Sequence, residues 1–180
     1  MPSFVPSLGS LRRAAARVGS TRITMARVAA PVLVVAALLA FQAPAAAQEA
    51  EPLTYEEARI AMDAAEAESR ANGWNLAIVV TDAEGVPLYL RRFGGAGPRF
   101  HEIAMGKVYT MLQTGMTSGE YGRAVQAGEM EPIEGGVTFE GGYLIRRGGE
   151  VIGAMSASGA RGSEDAQVVR AGLAAIGLEP

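Results

Sequence analysis

Residues 74–93 read WNLAIVVTDAEGVPLYLRRF, and this stretch decides the fold. Residues 74–81 are a nearly continuous apolar and β-branched run, which is typical of a central strand that is covered on both faces. Residues 82–85 have the composition of a turn, and residues 86–93 resemble a second strand. Because the connection is so short, the two strands are expected to be antiparallel.

Further helix and strand patterns lie on both sides of this hairpin. Thr54 and Glu57 form a capping-box pattern, which predicts an alanine-rich helix that ends near Ala71. Ser163 is the expected cap of the last helix. The elements expected after the first hairpin are helices over 99–113 and 117–126, strands over 142–146 and 151–157, and a helix over 164–176. Hairpins separated by helices indicate an α+β domain, in which helices pack on an antiparallel sheet.

The amino-terminal segment has the three parts of an export signal. Residues 28–41 are apolar throughout, Arg22 and Arg27 precede them, and a small-residue cleavage site follows at residues 45–47. This arrangement is typical of a secretory signal peptide that is removed after Ala47. We therefore expect a signal peptide over residues 1–47 and a mature domain over residues 48–180.

An uncleaved membrane anchor is the alternative interpretation of the same segment. The apolar run is shorter than the roughly 20 residues that a spanning helix needs, which favours a cleaved signal. Translation from Met1 or from Met25 would each leave a usable signal. The expected location is the periplasm or the exterior, with no stable membrane span once the signal is removed.

The charge and the cysteine content of the mature domain argue against one class of partner and exclude one kind of chemistry. The chain has 16 basic and 19 acidic residues, and five of the basic residues but no acidic residue lie in residues 1–47. The mature domain therefore has 11 basic residues and a formal net charge of 11 − 19 = −8. This charge argues against nucleic acid as a partner, since phosphate backbones are repelled. The chain has no cysteine, which excludes thiolate catalysis and zinc–thiolate sites.

Three groups of residues match one family pattern in order and spacing. They are LTYEEA (53–58) with GW (73–74) and VVTDAEG (79–85); IAMGKVYT (103–110); and EGG (140–142) with GEVIGA (149–154), SG (158–159), Asp165 and AG (171–172). Together they cover nearly the whole mature domain and resemble the GlcG/HbpS family of haem-binding proteins. The resemblance implies a profilin-like antiparallel sheet of about five strands flanked by helices. It also implies a homo-oligomer and haem, or a related small molecule, as the ligand.

The single histidine, His101, is the candidate axial ligand of haem iron. Imidazole suits haem iron, and the resemblance supplies that ligand. On a helix, Met105 shares a face with His101, and Tyr109 lies one turn further. The only protein–metal bond that we expect is therefore the one between His101 and haem iron. The alternative is a solvent-facing histidine in the first turn of a helix.

Two cations on the same helix are candidate anion-binding groups. Arg99 and Lys107 could pair with haem propionates or with the carboxylate of a small acid. The alternative for both is ordinary surface charge. Thr110 is either a hydroxyl in the haem pocket or a helix residue bonded back to its own backbone.

These residues support three hypotheses. The leading one is an exported haem-binding protein that sequesters, senses or degrades haem, more a binding protein than an enzyme. The second is a protein that binds or converts a small hydroxy or carboxylic acid through Lys107 and Arg99. The third is a structural module that assembles with a partner. The glycine clusters lack the strand-to-helix context of phosphate-binding loops.

Overall fold

The structure, a computed structural model, describes residues 50–178. The predicted signal peptide and the two candidate start residues, Met1 and Met25, lie outside the described residues. In chain order the elements are α1 (Tyr55–Ala71), β1 (Ala77–Thr81), β2 (Pro87–Arg92), α2 (Phe100–Thr114), α3 (Ser118–Gln126), β3 (Gly142–Arg147), β4 (Glu150–Ser158) and α4 (Gly162–Ala175).

Four strands form one antiparallel sheet in the order β2-β1-β4-β3. Strand β1 pairs with β2 on one side and with β4 on the other, so Val79 stands opposite both Leu90 and Ser156. Every residue of β1 is buried, as expected for a central strand. The predicted α+β class and the antiparallel sheet are confirmed.

The expectation of about five strands is wrong, because the sheet described has four. The segment between α3 and β3 is bonded to helix side chains instead of extending as a strand. Tyr121 Oη accepts a hydrogen bond from Ile133 N at 2.8 Å, and Thr110 Oγ1 accepts one from Val137 N at 2.7 Å. Pro132 also lies in this segment and has no N–H to donate to a sheet.

Helices cover both faces of the sheet, because successive strand side chains point to opposite sides. Ile78 and Val80 pack with α1 and α4 in a core that also contains Met155. Val79 points the other way and packs against α2. Full burial of one such side chain stabilises the fold by about 1.5–3 kcal/mol. The sheet therefore lies between one layer made of α1 and α4 and another made of α2.

The start of α1 agrees with the sequence-based prediction, and the start of α4 does not. The capping box of α1 is confirmed, with Glu57 N donating to Thr54 Oγ1 at 3.1 Å and Thr54 N donating to Glu57 Oε2 at 2.9 Å. Ser163 is not the cap of α4, since Arg161 occupies that position. Arg161 N donates to Glu164 Oε2 at 3.0 Å, which starts the helix two residues before the predicted position.

None of the helices within residues 50–178 is long and apolar enough to span a membrane.

Candidate functional site

Helix α2 carries most of the predicted site residues. Ala104, Val108 and Met111 are buried against the sheet and fix one side of the helix. The helix ends at Gly115, which has a left-handed φ of 69° and donates its N–H to Met111 O at 2.8 Å. Because this side of α2 packs on the sheet, the helix has two flanks, one to either side of the packed residues, and they face different surroundings.

Lys107 extends from one flank of α2 into the interior, where its side chain is completely buried. Its Nζ donates to Glu140 O at 2.6 Å, to Ala157 O at 2.7 Å and to Asp165 Oδ2 at 3.0 Å. An ammonium group has three N–H donors, so each of them has an acceptor. Asp165 Oδ1 accepts a further hydrogen bond from Ala160 N at 3.1 Å.

Burial acts on both members of this ion pair, because removal from water disfavours the charged form of each group. Burial lowers the pKa of Lys107, although the charge of Asp165 opposes this effect. Burial raises the pKa of Asp165 to about 6, since desolvation outweighs the favourable charge and hydrogen bond of Lys107. Burial thus works against the ionised form of each partner, and their mutual attraction opposes that effect.

Gly141 allows the backbone to pass directly over the ion pair. Its φ of 113° is a conformation that favours glycine. A Cβ at this position would collide with Asp165 and would lie 2.9 Å from Lys107 Nζ. The Gly141-Gly142 pair thus brings the chain close to the two charged side chains before β3 begins.

A cavity of about 430 Å³ opens beside the ion pair, and Lys107 and Asp165 contribute to its lining. Its apolar walls come from Phe100 and Ile103 of α2 and from Phe139 of the segment before β3. Its polar boundary includes Ser158, at the end of β4, and Gly162, at the start of α4. The cavity therefore lies where the end of the sheet meets the first turns of two helices.

Three of the predicted haem-binding residues lie away from this cavity. His101 and Met105 are half-buried, and Met105 packs against the core beneath α2. Tyr109 is exposed over 44% of its surface. None of the three lines the cavity. Lys107 follows His101 by six positions, so the two side chains leave different flanks of a helix with 3.6 residues per turn.

The other predicted residues have varied surroundings. Thr110 Oγ1 donates to Gly106 O at 2.9 Å and accepts from Val137 N, so it acts as a back-bonded helix residue. Arg99 is exposed at the cap position of α2. Lys107 is not a surface charge, and an external anion would have to displace one of its three acceptors.

Asp165, Ser158 and Phe139 were not predicted to share a site with Lys107. Asp165 is 58 positions from Lys107 in the sequence. An acidic residue in the first turn of a helix, as Asp165 is in α4, indicates the start of the helix and not a functional site. Ser158 ends a strand, and Phe139 lies in a loop and is exposed over 63% of its surface. No local sequence pattern marks these three residues as members of one site, because they meet only after the chain folds.

Within residues 50–178, three or more His, Asp or Glu side chains nowhere gather in a group that could hold a metal ion.

Residues 53–174 match the family model HbpS-like, described as haem degrading protein HbpS-like. The chain belongs to the HbpS-like family. The matched region contains His101, the cavity and almost all of the elements described above, so the family assignment covers the whole candidate site. Comparison with curated protein sequences gives no match.

Solved structures share the fold of this HbpS-like chain. HbpS from Streptomyces reticuli, solved as a double mutant, is 29% identical with a TM-score of 0.63, covering 71% of this chain and 88% of that one. A complex of PduOC with haem is 25% identical with a TM-score of 0.66, covering 71% of this chain and 97% of that one. Klebsiella pneumoniae protein ORFY is 21% identical with a TM-score of 0.65, covering 72% of this chain and 94% of that one, and shows the fold alone.

Proposed function

We propose that this HbpS-like domain binds haem. The observation that carries the proposal is the match of residues 53–174 to a family described as haem degrading. The similarity to PduOC, which was solved as a complex with haem, gives further support. Binding, rather than a particular fate of the haem, is the function that these observations favour.

His101 is the proposed axial ligand. The described residues fit this role, because the imidazole is half-buried on an accessible flank of α2 and the chain has no cysteine to compete for iron. Met105 lies one turn along the same flank and offers a thioether, and Tyr109 follows with an exposed ring. Bound haem would supply redox chemistry and oxygen binding at its iron.

Arg99 is the proposed partner of a haem propionate. It is exposed at the cap position of α2, and since residues two apart do not share a helix face, it would reach a propionate from the end of the helix and not from the His101 flank. A guanidinium can bind a carboxylate with two hydrogen bonds. Lys107 is less suited to this role, because its three donors are already bonded within the protein.

Haemin titration of the purified protein, read by absorbance, tests the proposal. We expect a Soret band that saturates with haemin and that shifts or weakens in His101→Ala. Tyr109→Phe is the comparison variant, since it keeps the aromatic ring on the same flank and removes only the phenol oxygen, and a nearly unchanged band there would show that this oxygen is not the iron ligand. An unchanged band in His101→Ala would remove His101 from the site, and the absence of any Soret change in the wild type would overturn haem binding.

The fate of the haem can be tested on the same sample. Adding a reductant in air should preserve a Soret band, shifted only by the change in iron oxidation or ligation, if the protein sequesters or senses haem. Loss of the band with release of iron would instead support degradation. Iron release is measured with a ferrous chelator, and a control with haemin alone accounts for spontaneous bleaching.

We also propose that the domain acts outside the cytoplasm. The support is the sequence of residues 1–47, which combines a basic start, an apolar core and a small-residue cleavage site. Cell fractionation with amino-terminal sequencing should find a soluble periplasmic or secreted protein that begins at Gln48. Recovery in the membrane with the apolar segment intact would support the anchor instead.

A homo-oligomer is proposed for the same domain. Strand β2 is an edge of the sheet, and Val86 and Leu90 are exposed over 59% and 43% of their surfaces. An exposed edge strand with apolar side chains favours association. Light scattering coupled to size exclusion should give a mass above that of one chain, and Leu90→Lys should lower it. A monomeric wild type would contradict the proposal.

A further inference from the structure

The cavity beside Lys107 contains a hydroxyl that is free to bind a ligand. Ser158 is only 4% exposed, and its hydroxyl has no hydrogen-bond partner within residues 50–178. Every fully enclosed side-chain nitrogen or oxygen among those residues does have a partner. The hydroxyl of Ser158 is therefore reached from the cavity that this residue lines.

The direction of this hydroxyl follows from its place in β4. Ser156 and Ser158 are two residues apart, so their side chains lie on the same face of the strand. Ser156 Oγ donates to Ala104 O of α2 at 2.8 Å. Ser158 consequently points towards the α2 side, where Phe100 and Ile103 form the cavity wall.

A backbone donor lies at the same end of the cavity. Gly162 is the first residue of the 14-residue helix α4 and lines the cavity. The first N–H groups of a helix have no acceptor within the helix, and they attract hydrogen-bond acceptors. Gly162 and Ser158 thus place a backbone amide and a hydroxyl, two hydrogen-bond donors, in the lining of the same cavity.

The charges around the cavity select a neutral ligand. Glu140 and Asp165 line it, and Glu164 is only 18% exposed in the same turn of α4. Lys107, the cation of the lining, is committed to its three acceptors. An anionic ligand would therefore meet more negative charge than free positive charge. A cation would be attracted by these carboxylates, but at the polar end of the cavity it would meet the donors of Ser158 and Gly162 and the positive end of a helix dipole instead of acceptors.

We propose that this cavity is a second ligand site, which binds a neutral carbonyl compound with an apolar or aromatic body. The carbonyl oxygen accepts hydrogen bonds from Ser158 and Gly162. The body of the ligand contacts Phe100, Ile103 and Phe139. A volume of about 430 Å³ lies within the range of small-molecule sites. The site is separate from the flank of α2 that carries His101, and it does not depend on haem binding.

Three probes with the same benzene ring distinguish neutral, anionic and cationic ligands: benzamide, benzoate and benzylamine. Each is added to the purified, isotope-labelled protein, and binding is followed by amide chemical shifts. We expect benzamide to shift the amides of Ser158, Gly162 and Phe139 with an affinity in roughly the millimolar range, as befits so small a ligand. Benzoate and benzylamine should bind at least about fivefold more weakly. Equal or tighter binding of either charged probe would overturn the assignment of a neutral ligand.

Variants test the contacts. Ser158→Ala should weaken benzamide about two- to tenfold, the loss expected for one hydrogen bond. Ser163→Ala is the matched control, because Ser163 is exposed on α4 and does not line the cavity. Phe139→Ala tests the apolar wall and removes a side chain that is mostly exposed, so it is compatible with the fold. Unchanged benzamide affinity in both Ser158→Ala and Phe139→Ala would place the probe elsewhere and overturn the proposal.

His101→Ala distinguishes this site from the proposed haem site. It should lose the haem signal and retain benzamide binding. Loss of both would mean that the two ligands share one site, which would also overturn the proposal.

Discussion

Lys107 Nζ lies 3.0 Å from Asp165 Oδ2, and the ion pair joins helices that cover opposite faces of the sheet. Lys107 belongs to α2, and Asp165 lies in the first turn of α4. Their contact passes the end of β4, where Ala157 O accepts the same ammonium group. The pair thus connects the two helical layers, and it forms part of the cavity lining at that end of the sheet.

Lys107→Met should strongly destabilise the protein. It would leave the carboxylate of Asp165 and the carbonyls of Glu140 and Ala157 buried without their donor. Breaking a buried pair by removing one partner costs about 3–5 kcal/mol. Urea unfolding should show this loss as a lower midpoint.

A double-mutant cycle is the control for this prediction. Asp165→Asn alone should also destabilise the protein, since Lys107 loses its counter-charge. The double variant should lose less than the sum of the two single losses, because each buried charge is costly mainly when its partner has been removed. Simple additivity would show that the two side chains do not depend on each other.

The stability contributed by Asp165 should fall as the pH rises from about 4 to about 6. Burial raises the pKa of this carboxyl from 3.8 to about 6 in the folded protein. In this window the folded state holds a proton that the unfolded state has lost, so a rise in pH favours unfolding. The free energy of unfolding of the wild type minus that of Asp165→Asn should fall by up to about 1.4 kcal/mol per pH unit.

Glu164→Gln gives a control of opposite sign. Hydrogen bonds from Arg161 lower the pKa of Glu164, so its contribution is lost as the pH falls. The difference between wild type and Glu164→Gln should therefore grow with rising pH in the acid range. If the difference between wild type and Asp165→Asn also grows with rising pH, the raised pKa of Asp165 is contradicted.

Local patterns predicted most of the fold. The β-branched run that ends at Thr81, the short turn after it and the capping box at Thr54 each act over a few residues, so the sequence alone identifies them. The fifth strand came from the family resemblance, and the described chain has no strand pattern to match it. The observed cap of α4, Arg161, lies two residues before the predicted cap, Ser163. Both residues are at the start of the same helix, and it is Arg161 whose N–H donates to the side chain of Glu164.

The candidate site was harder to predict, because its members meet only after folding. Lys107 and Asp165 are 58 residues apart, so no local pattern indicates that they form a pair. An isolated lysine in a helix is usually a surface charge, since unpaired burial is costly. Lys107 was selected through the family resemblance as an anion-binding group, and the structure places its three donors on internal acceptors instead.

Thr54→Ala should lower stability by about 1 kcal/mol, the usual loss for an N-cap hydroxyl. Thr54 Oγ1 accepts from Glu57 N at 3.1 Å, and that amide would lose its partner. Thr54→Ser keeps the hydroxyl and should stay close to wild type. Thermal unfolding measures both variants, and equal melting temperatures for Thr54→Ala and wild type would show that water replaces the cap without loss.

Gly141→Ala should destabilise the protein far more than Gly148→Ala, although both replace a glycine with positive φ. At Gly148, with φ of 60°, a new Cβ meets nothing within 4 Å, so the cost is the backbone strain of about 1–2 kcal/mol. At Gly141, with φ of 113°, the Cβ collides with Asp165 and crowds Lys107 Nζ. The backbone strain is then joined by displacement of the buried pair, and we expect a loss of about 3 kcal/mol or more. Urea unfolding of the two variants compares them directly. Equal losses would mean that the ion pair can move aside at no cost, and the close passage of the chain over Lys107 and Asp165 would then have no part in holding the two helical layers together.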